Sequence, residues 1–388
     1  MQIYLDHSAT TPTRTEAIAA MHRVMLSDWG NPSSIHQWGE RASTAIEQAR
    51  FQVAALLNAN PDAIAFTSGG TEANNQAIIG VANLYATPQH LIISSVEHSS
   101  ISAPVQWLES RGWAVTRLPV DRTGRIDPQD LKLAIRPNTV LVSIIYAQSE
   151  VGTIQPIAEL ADICRQHQVC FHTDAVQAAG KISIDVQKLG IDLLSISSHK
   201  LYGPQGAGAL YIRPGLNLIP LLAGGGQEMG WRSGTQAVPQ IAGFGVAAEL
   251  ASEELALESS RLISLRDRFF ELLADCPILV PTGDRQHRLP HHLSFCLQPK
   301  CHLSEAITGK TIVRQLNLAG IGISSGAACA SGKLTPSPVL LAMGYSQTDA
   351  VGGIRLTLGK TNTAADIDWT AMVLKQIIDR LIPQLVCV

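Results

Sequence analysis

Short apolar runs separated by segments of helical periodicity make up the chain from about residue 40 to residue 215. Seven of the apolar runs are predicted to be strands: Ala63–Thr67, Leu91–Ser95, Ala114–Leu118, Val140–Tyr146, Val169–Thr173, Leu193–Ser197 and Ala207–Ile212. Helices are predicted between most of them, over Gly70–Ala86, Ser99–Arg111, Asp127–Ile135 and Ile157–His167. Strands that alternate with helices in this way are typical of an α/β fold with a mostly parallel sheet.

The pattern changes after residue 240. Ile241–Leu273 is rich in Ala, Leu and Glu and predicts one or two long helices, which end before a stretch of prolines and a glycine. Two later apolar runs, His292–Leu297 and Gly353–Leu358, predict strands, and Ala364–Leu381 predicts a last helix. This part of the chain is expected to form a smaller α+β unit.

These two patterns predict two domains. The passage between them is placed within residues 250–280, so residues 13–260 are expected to form the large α/β domain. The small domain is expected to contain residues 261–388, joined by residues 1–12, which cross over from the N-terminus.

Composition excludes several classes of protein. The chain has 388 residues, 46% of them hydrophobic and 16% charged, which indicates a folded protein with ample core. A net charge of −3 without a basic stripe argues against nucleic acid as a partner. No apolar run reaches the ~18 residues that a membrane helix needs, and the N-terminus does not have the pattern of a secretory signal. Seven scattered cysteines suggest reduced thiols, so we expect a cytoplasmic protein.

Two charged residues carry the first chemical argument. Asp174 and Lys200 each follow a predicted strand, so both are expected at the carboxyl edge of the sheet, where ligands of parallel sheets bind. An amine and a carboxylate at one site are what pyridoxal phosphate (PLP) chemistry requires. The lysine forms a Schiff base with the cofactor aldehyde, and the aspartate keeps the pyridine nitrogen protonated.

Other polar residues follow strands at the same predicted edge. The turn that contains Gly70 and Thr71 joins a strand to a helix, and its amides could bind a phosphate, although an ordinary tight turn capped by Thr71 has the same sequence. Ser197 and His199 lie close to Lys200 and could donate to the same phosphate. His98 follows another strand and could stack on the ring and carry protons.

The motifs taken together resemble those of the cysteine desulfurases of the NifS/IscS type, within the class V branch of fold-type I PLP enzymes. The resemblance runs through nearly the whole chain, over Leu5–Pro12, Asn31–His36, Thr67–Asn75, Glu97–Ser99, Asp174–Gln177, Ser197–Pro204, Arg232–Thr235 and Gly353–Gly359. Ser324–Gly332 is similar to the longer form of the family's loop with the nucleophilic cysteine, here Cys329.

The resemblance implies a fold and a set of roles. The fold is that of the PLP-dependent transferases related to aspartate aminotransferase, with a mostly parallel seven-stranded sheet, helices on both faces and a smaller α+β domain. Lys200 and Asp174 would hold PLP as described, and His98 would stack on its ring. The other cofactor-binding residues would be Gln177 at the ring hydroxyl, Thr71, Ser197 and His199 at the phosphate beside Gly70, and Thr235 reaching the phosphate of the neighbouring subunit in a homodimer.

The implied reaction removes sulfur from L-cysteine. Arg355 would bind the substrate carboxylate through its planar guanidinium, Lys200 would remove the Cα proton, and His98 or Lys200 would return a proton. The Cys329 thiolate would attack the substrate sulfur, which leaves alanine and an enzyme persulfide for a sulfur acceptor such as an iron–sulfur scaffold protein. No metal is expected to take part.

Two departures from the family pattern leave alternatives open. Ser149 stands where the family has an asparagine that helps to hold the cofactor hydroxyl and the substrate carboxylate, and Gln148 replaces the asparagine before it. Met229 stands where a basic residue is usual. An aminotransferase or selenocysteine lyase of the same fold, or a homologue of low activity or regulatory role, is therefore weighed against the desulfurase.

Overall fold

The computed structural model describes residues 2–298, 308–326 and 335–381. Its strands are β1 Ile3–Tyr4, β2 Ile64–Thr67, β3 His90–Ser94, β4 Ala114–Leu118, β5 Thr139–Ile145, β6 Cys170–Asp174, β7 Leu193–Ser197, β8 Gly208–Ile212, β9 Leu279–Pro281, β10 His292–Leu297, β11 Ile321–Gly322, β12 Ser324–Ser325 and β13 Gly353–Thr357. Its helices are α1 Thr15–Ser27, α2 Gln37–Leu57, α3 Gly70–Ala82, α4 Ser99–Glu109, α5 Pro128–Ala134, α6 Ile157–Gln166, α7 Val186–Leu189, α8 Val238–Leu272, α9 Gly309–Leu318, α10 Pro338–Ala342, α11 Gln347–Val351 and α12 Ala364–Leu381.

The large sheet has seven strands in the order β2-β8-β7-β6-β5-β3-β4. β8 is antiparallel to both of its neighbours, and the other pairs in the sheet are parallel. The prediction of a mostly parallel seven-stranded sheet is therefore confirmed, and each predicted strand of this sheet begins and ends within one residue of the observed strand.

Helices cover both faces of this sheet because its strands are apolar on both sides. Leu91 and Ile93 of β3 pack with α3 and α4 on one face, whereas Ile92 between them belongs to the core on the other face. Strands buried on both sides read as continuous apolar runs, which is why the sequence pattern located them so closely.

Helix ends were predicted less well. The predicted helix Gly70–Ala86 ends at Ala82, after which the amides of Leu84 and Tyr85 bond three residues back in a tighter turn. α1 and α2 were not predicted as separate helices. They pack against the first half of α8, and their exposed faces carry residues such as Met25 and Phe51, which blur the amphipathic pattern.

α8 is a single helix of 35 residues that contributes to two hydrophobic cores. Its first half, including Phe244, packs on the large sheet. Its second half, including Phe269, packs with the four-stranded antiparallel sheet β12-β13-β10-β9. The predicted domain boundary at residue 260 lies inside this unbroken helix and stays a prediction.

The N-terminal segment belongs to the second of these cores. β1 pairs in parallel with β11, and Ile3 and Leu5 pack beside Phe295. Asp6 then forms a bridge with Thr357 at the end of β13. No helix in the described ranges is long and apolar enough to cross a membrane.

A buried ion pair covers the edge strand β2. Arg50 of α2 donates to Glu228 at 2.6 and 3.1 Å and to the carbonyl of Ile64 at 2.6 Å. Glu228 also accepts the amide of Phe66 at 2.8 Å. These two side chains therefore satisfy the outward backbone groups of β2, which an edge strand would otherwise leave unpaired.

We expect Arg50→Met to destabilise the protein by about 3–5 kcal/mol, because it leaves the fully buried Glu228 carboxylate without its counter-ion. The matched control is Arg117→Met, which breaks the exposed pair with Glu109 and should cost at most about 1 kcal/mol. Urea unfolding of both variants measures the difference. Equal losses of unfolding free energy in the two variants would mean that the Arg50–Glu228 pair stabilises the fold no more than an exposed ion pair does.

Candidate active site

The carboxyl ends of β2, β3, β5, β6 and β7 meet at one edge of the large sheet and enclose a cavity of about 220 Å³. The side chains and backbone that line it are Gly70, Thr71, Asn74, His98, Ser100, Ile145, Ser149, Asp174, Val176, Gln177, Ser197, His199 and Lys200. The cavity therefore brings together residues that are far apart in the sequence, at the position that the strand pattern predicted.

Asp174 ends β6 and is buried at the bottom of this cavity. Its Oδ1 accepts the amide of Val176 at 3.0 Å, and its Oδ2 accepts the side-chain amide of Asn74 at 2.7 Å. Burial raises the pKa of Asp174, while the Val176 amide, His98, Asn74 and Lys200 act in the opposite direction. A cationic ring nitrogen beside it would favour the ionised carboxylate further.

Lys200 lies in a single 3₁₀ turn directly after β7. Its Nζ donates to the carbonyls of Ser8 at 2.5 Å and Ala9 at 2.7 Å. Burial and the nearby Arg355 lower the pKa of Lys200 to about 8. A lysine with such a pKa has a substantial neutral fraction near physiological pH and can act as a nucleophile or base.

One end of the cavity is suited to an anion. α3 begins at Gly70, and the preceding residue is glycine, so no side chain caps its first amides. A Cβ on Gly70 would lie 2.7 Å from Cγ2 of Val176, so the close packing there requires glycine. Thr71, Ser197 and His199 add hydroxyl and imidazole groups at the same end.

His199 is neutral in this environment. Its Nδ1 lies 3.0 Å from the hydroxyl of Thr10, and burial followed by the nearby Lys200 lowers its pKa to about 4. It can therefore offer a hydrogen bond to an anion without adding a positive charge.

Two further predicted residues line the middle of the cavity. His98 is the N-cap of α4, and its Nδ1 accepts the amide of Ser100 at 3.2 Å. Gln177 donates its side-chain amide to the carbonyl of Ser8 at 3.0 Å.

Three predicted residues are not among those that line the cavity. Arg355 of β13 lies near Lys200 but donates to Asp6 at 2.6 Å and to the carbonyl of Ser149 at 3.0 Å. Thr235 is exposed on a glycine-rich loop. Cys329 lies outside the described residues.

Comparison with known proteins decides the family. A family model described as aminotransferase class-V matches residues 3–369. The cysteine desulfurase IscS of Dictyoglomus turgidum is 46% identical over 382 residues, which are 98% of this chain and 95% of that protein. The chain belongs to the class-V aminotransferase family. Within it, the chain is a member of the NifS/IscS group, as its motifs indicated.

Solved structures agree with this assignment. A NifS-like protein superposes with a TM-score of 0.91 at 34% identity, over 98% of this chain and 100% of that one. SspA, solved in complex with cysteine, gives a TM-score of 0.81 at 36% identity, over 92% of this chain and 99% of that one. The predicted PLP-dependent transferase fold is confirmed, and so is the prediction that the chain is a PLP-dependent enzyme.

The cavity fits the cofactor of this class-V enzyme. It offers an amine for the aldehyde, a buried carboxylate for the ring nitrogen, and uncapped helix amides with hydroxyl groups for the phosphate. Lys200, Asp174 and the N-terminus of α3 would hold these three parts of PLP.

The departures from the family pattern have local structural consequences. Gln148 is buried, and its carboxamide oxygen accepts the amides of Glu150 and Val151, so it holds the turn that follows β5. Ser149 lines the cavity, and its carbonyl accepts from both Arg355 and His292. Met229 is half exposed in a left-handed conformation and is not among the residues that line the cavity.

Several site residues were missed from the sequence. Asn74, Ser100 and Val176 line the cavity, and Asp6 holds Arg355, but none was given a role. A signal did exist for Asn74, because it lies one helical turn after Gly70 and Thr71 and must face the same side of α3.

The lowered pKa of Lys200 predicts how cofactor-free enzyme takes up PLP. Only the neutral amine attacks the aldehyde, so the rate should rise with pH and reach half its maximum near pH 8, well below the value for an ordinary lysine near 10. Visible absorbance of the bound cofactor measures it. Arg355→Met should move the midpoint upward, because it removes a cation near the amine, whereas Arg117→Met on the surface should not. A midpoint near 10 in the wild type would contradict the assignment.

Proposed function

We propose that this enzyme removes the sulfur of L-cysteine, releases L-alanine and passes the sulfur from a persulfide on Cys329 to a protein acceptor for iron–sulfur or related cofactor assembly. The observation that carries the proposal is the juxtaposition of Lys200 and Asp174 in one cavity, in a chain 46% identical to a cysteine desulfurase. The SspA complex adds a cysteine-bound protein of the same fold.

When bound, PLP supplies an electron sink for the pair of electrons left after a proton leaves the substrate Cα. Lys200 removes that proton with its Nζ, because its lowered pKa makes the neutral amine accessible near pH 8. Asp174 would face the ring nitrogen, and the two donors that it already has favour its ionised form. His98 lines the same cavity as Lys200 and would supply the second proton.

Arg355 selects a substrate with a carboxylate. Its guanidinium is held on one side by Asp6 and on another by the carbonyl of Ser149, and these contacts fix the plane of the group near the cavity. A planar guanidinium can bind both oxygens of a carboxylate, which a lysine cannot do with the same geometry.

The chain that leads to Cys329 passes through β12, which pairs with the strand of Arg355. β12 pairs with β13 so that Ser324 lies directly opposite Arg355. Cys329 follows Ser324 by five residues, and five residues of chain can span up to about 17 Å. The proposed nucleophile thus follows, five residues along the chain, a strand residue that lies opposite Arg355.

The sulfur step balances without an external oxidant. The Cys329 thiolate forms an S–S bond with the substrate sulfur, and the Cβ–S bond breaks with its electron pair retained on the carbon side. Protons from the site complete the methyl group of alanine. One cysteine and one enzyme thiol thus give one alanine and one enzyme persulfide.

A homodimer with shared sites is part of the proposal. Arg232 pairs with Glu72 in the first turn of α3 at 2.9 Å, so the loop that contains Thr235 lies close to the N-terminus of this helix. Thr235 itself is exposed and outside the lining of its own cavity. An exposed hydroxyl there is available to the phosphate site of a second copy of the chain.

A cytoplasmic location completes the proposal. The Cys329 chemistry needs a free thiolate and a persulfide that survives until transfer, and both are favoured in a reducing compartment. The acceptor is then a protein of that compartment, such as an iron–sulfur scaffold.

Cys329→Ala should abolish alanine release from L-cysteine, with a loss of at least about 100-fold, because it removes the thiolate that takes the sulfur in this route. The control is Cys276→Ala, a half-buried cysteine in the second core that should leave turnover unchanged. Mass spectrometry after cysteine exposure should find added sulfur on Cys329. Unchanged turnover in Cys329→Ala would refute the persulfide route, and retained activity on selenocysteine alone would indicate a lyase.

The shared site predicts complementation between two defective chains. Thr235→Ala should weaken PLP binding, and Lys200→Ala should prevent covalent attachment. In a mixed dimer, one site receives Lys200 from one chain and Thr235 from the other, so it should recover the PLP affinity of the wild type. Affinity-tagged co-purification followed by PLP titration measures this. If the mixed dimer binds no better than the Thr235→Ala dimer, then Thr235 acts within its own chain or not at all.

A further inference from the structure

A continuous chain of hydrogen bonds connects Asp174 with His98. The amide nitrogen of Asn74 donates to Asp174 Oδ2 at 2.7 Å and also to the hydroxyl of Ser100 at 2.8 Å. The Ser100 hydroxyl lies 2.7 Å from Nδ1 of His98. Asn74 and Ser100 are both buried, and burial strengthens these bonds relative to bonds in water.

The direction of each bond follows from the chemistry of the groups. The amide nitrogen of Asn74 can only donate, so both the Asp174 carboxylate and the Ser100 hydroxyl accept from it. The Ser100 hydroxyl then has its own proton to give, and His98 Nδ1 is its partner. The backbone amide of Ser100 donates to the same Nδ1 at 3.2 Å.

Two donors on Nδ1 fix the tautomer of His98. A ring nitrogen that accepts two hydrogen bonds carries no proton, so the neutral ring has its proton on Nε2. The same two bonds also fix the orientation of the ring, because Ser100 belongs to the first turn of α4, which His98 caps. His98 itself is exposed, so these two bonds contribute strongly to its orientation.

We propose that Asn74 and Ser100 are positioning residues, which orient His98 over the cofactor site and keep its proton on Nε2. The inference rests on the proposed function in that His98 acts in proton transfer there. Asn74 has a second role in the same geometry, since it supports the Asp174 carboxylate with the other hydrogen of its amide. The side chain of Asn74 thereby links Asp174 to His98 through the hydroxyl of Ser100.

The tautomer is tested directly by ¹⁵N NMR of histidine-labelled holoenzyme. The signals of His98, among twelve histidines, are assigned by their loss in His98→Gln. The wild type should have protonated Nε2 and unprotonated Nδ1. Ser100→Ala keeps only the longer bond from the backbone amide and should give a mixture of tautomers. A proton on Nδ1 in the wild type would overturn the proposal whether or not any variant folds.

Kinetics provide the second readout. Ser100→Ala should lower kcat for alanine release by about tenfold with KM nearly unchanged, because a misoriented donor affects the proton step. Ser102→Ala, the same change on the same helix, is the control and should behave as the wild type. Ser100→Thr keeps the hydroxyl and should recover most of the rate. A Ser100→Ala variant with kcat within twofold of the wild type would contradict the role.

A double-mutant cycle tests whether the two residues act as a unit. If they do, Asn74→Ala combined with Ser100→Ala should reduce kcat by clearly less than the product of the two single effects. Independent effects that multiply would refute the coupling. The NMR result distinguishes this inference from the proposed function, since the tautomer is observable even if L-cysteine proves not to be the substrate.

Discussion

A buried negative charge at the edge of the large sheet is the constraint on which the site depends. Removing the Asp174 carboxylate from water is costly unless donors surround it. The structure meets that cost with a backbone amide two residues later and with Asn74 on the neighbouring helix α3. Asn74, which supports the carboxylate, belongs to α3. The first amides of the same helix are uncapped and suited to an anion.

Two other ionisable groups near Asp174, Glu97 and Lys200, have pKa values shifted by burial. Glu97 is buried near Asp174, and burial raises its pKa to about 8 even though Ser94 and the amide of Ile145 donate to it. Glu97 is therefore mostly protonated at neutral pH, which avoids two adjacent buried anions. On the opposite side, burial and Arg355 lower the pKa of Lys200 to about 8. Burial at this crowded edge thus shifts both Glu97 and Lys200 toward their neutral forms.

The sequence predicts those parts of the site that are local in the chain. Lys200 and Asp174 were found because each directly follows an apolar strand, and a parallel sheet brings such positions to one edge. The link from Asn74 to Ser100 was not predictable in this way, since it joins the second turn of α3 to the first turn of α4, and the distance between them depends on how the two helices pack. The same holds for Asp6 and Arg355, which are 349 residues apart and meet only because the N-terminal segment joins the second core. The helices α1 and α2 escaped prediction for a related reason, because their apolar residues face both the core and the surface.

The N-terminal segment sets the distance between the two cationic groups of the site. Its carbonyls at Ser8 and Ala9 accept the amine of Lys200, while the carboxylate of Asp6 holds Arg355. Thr11 is also bonded to the chain next to Lys200, through its amide and hydroxyl to the carbonyl of His199. One extended segment therefore binds the lysine turn of the large sheet and the arginine strand of the small one. Two cations would repel each other if left unpaired, and this segment supplies acceptors to both, so it stabilises the arrangement in which Lys200 and Arg355 lie near each other.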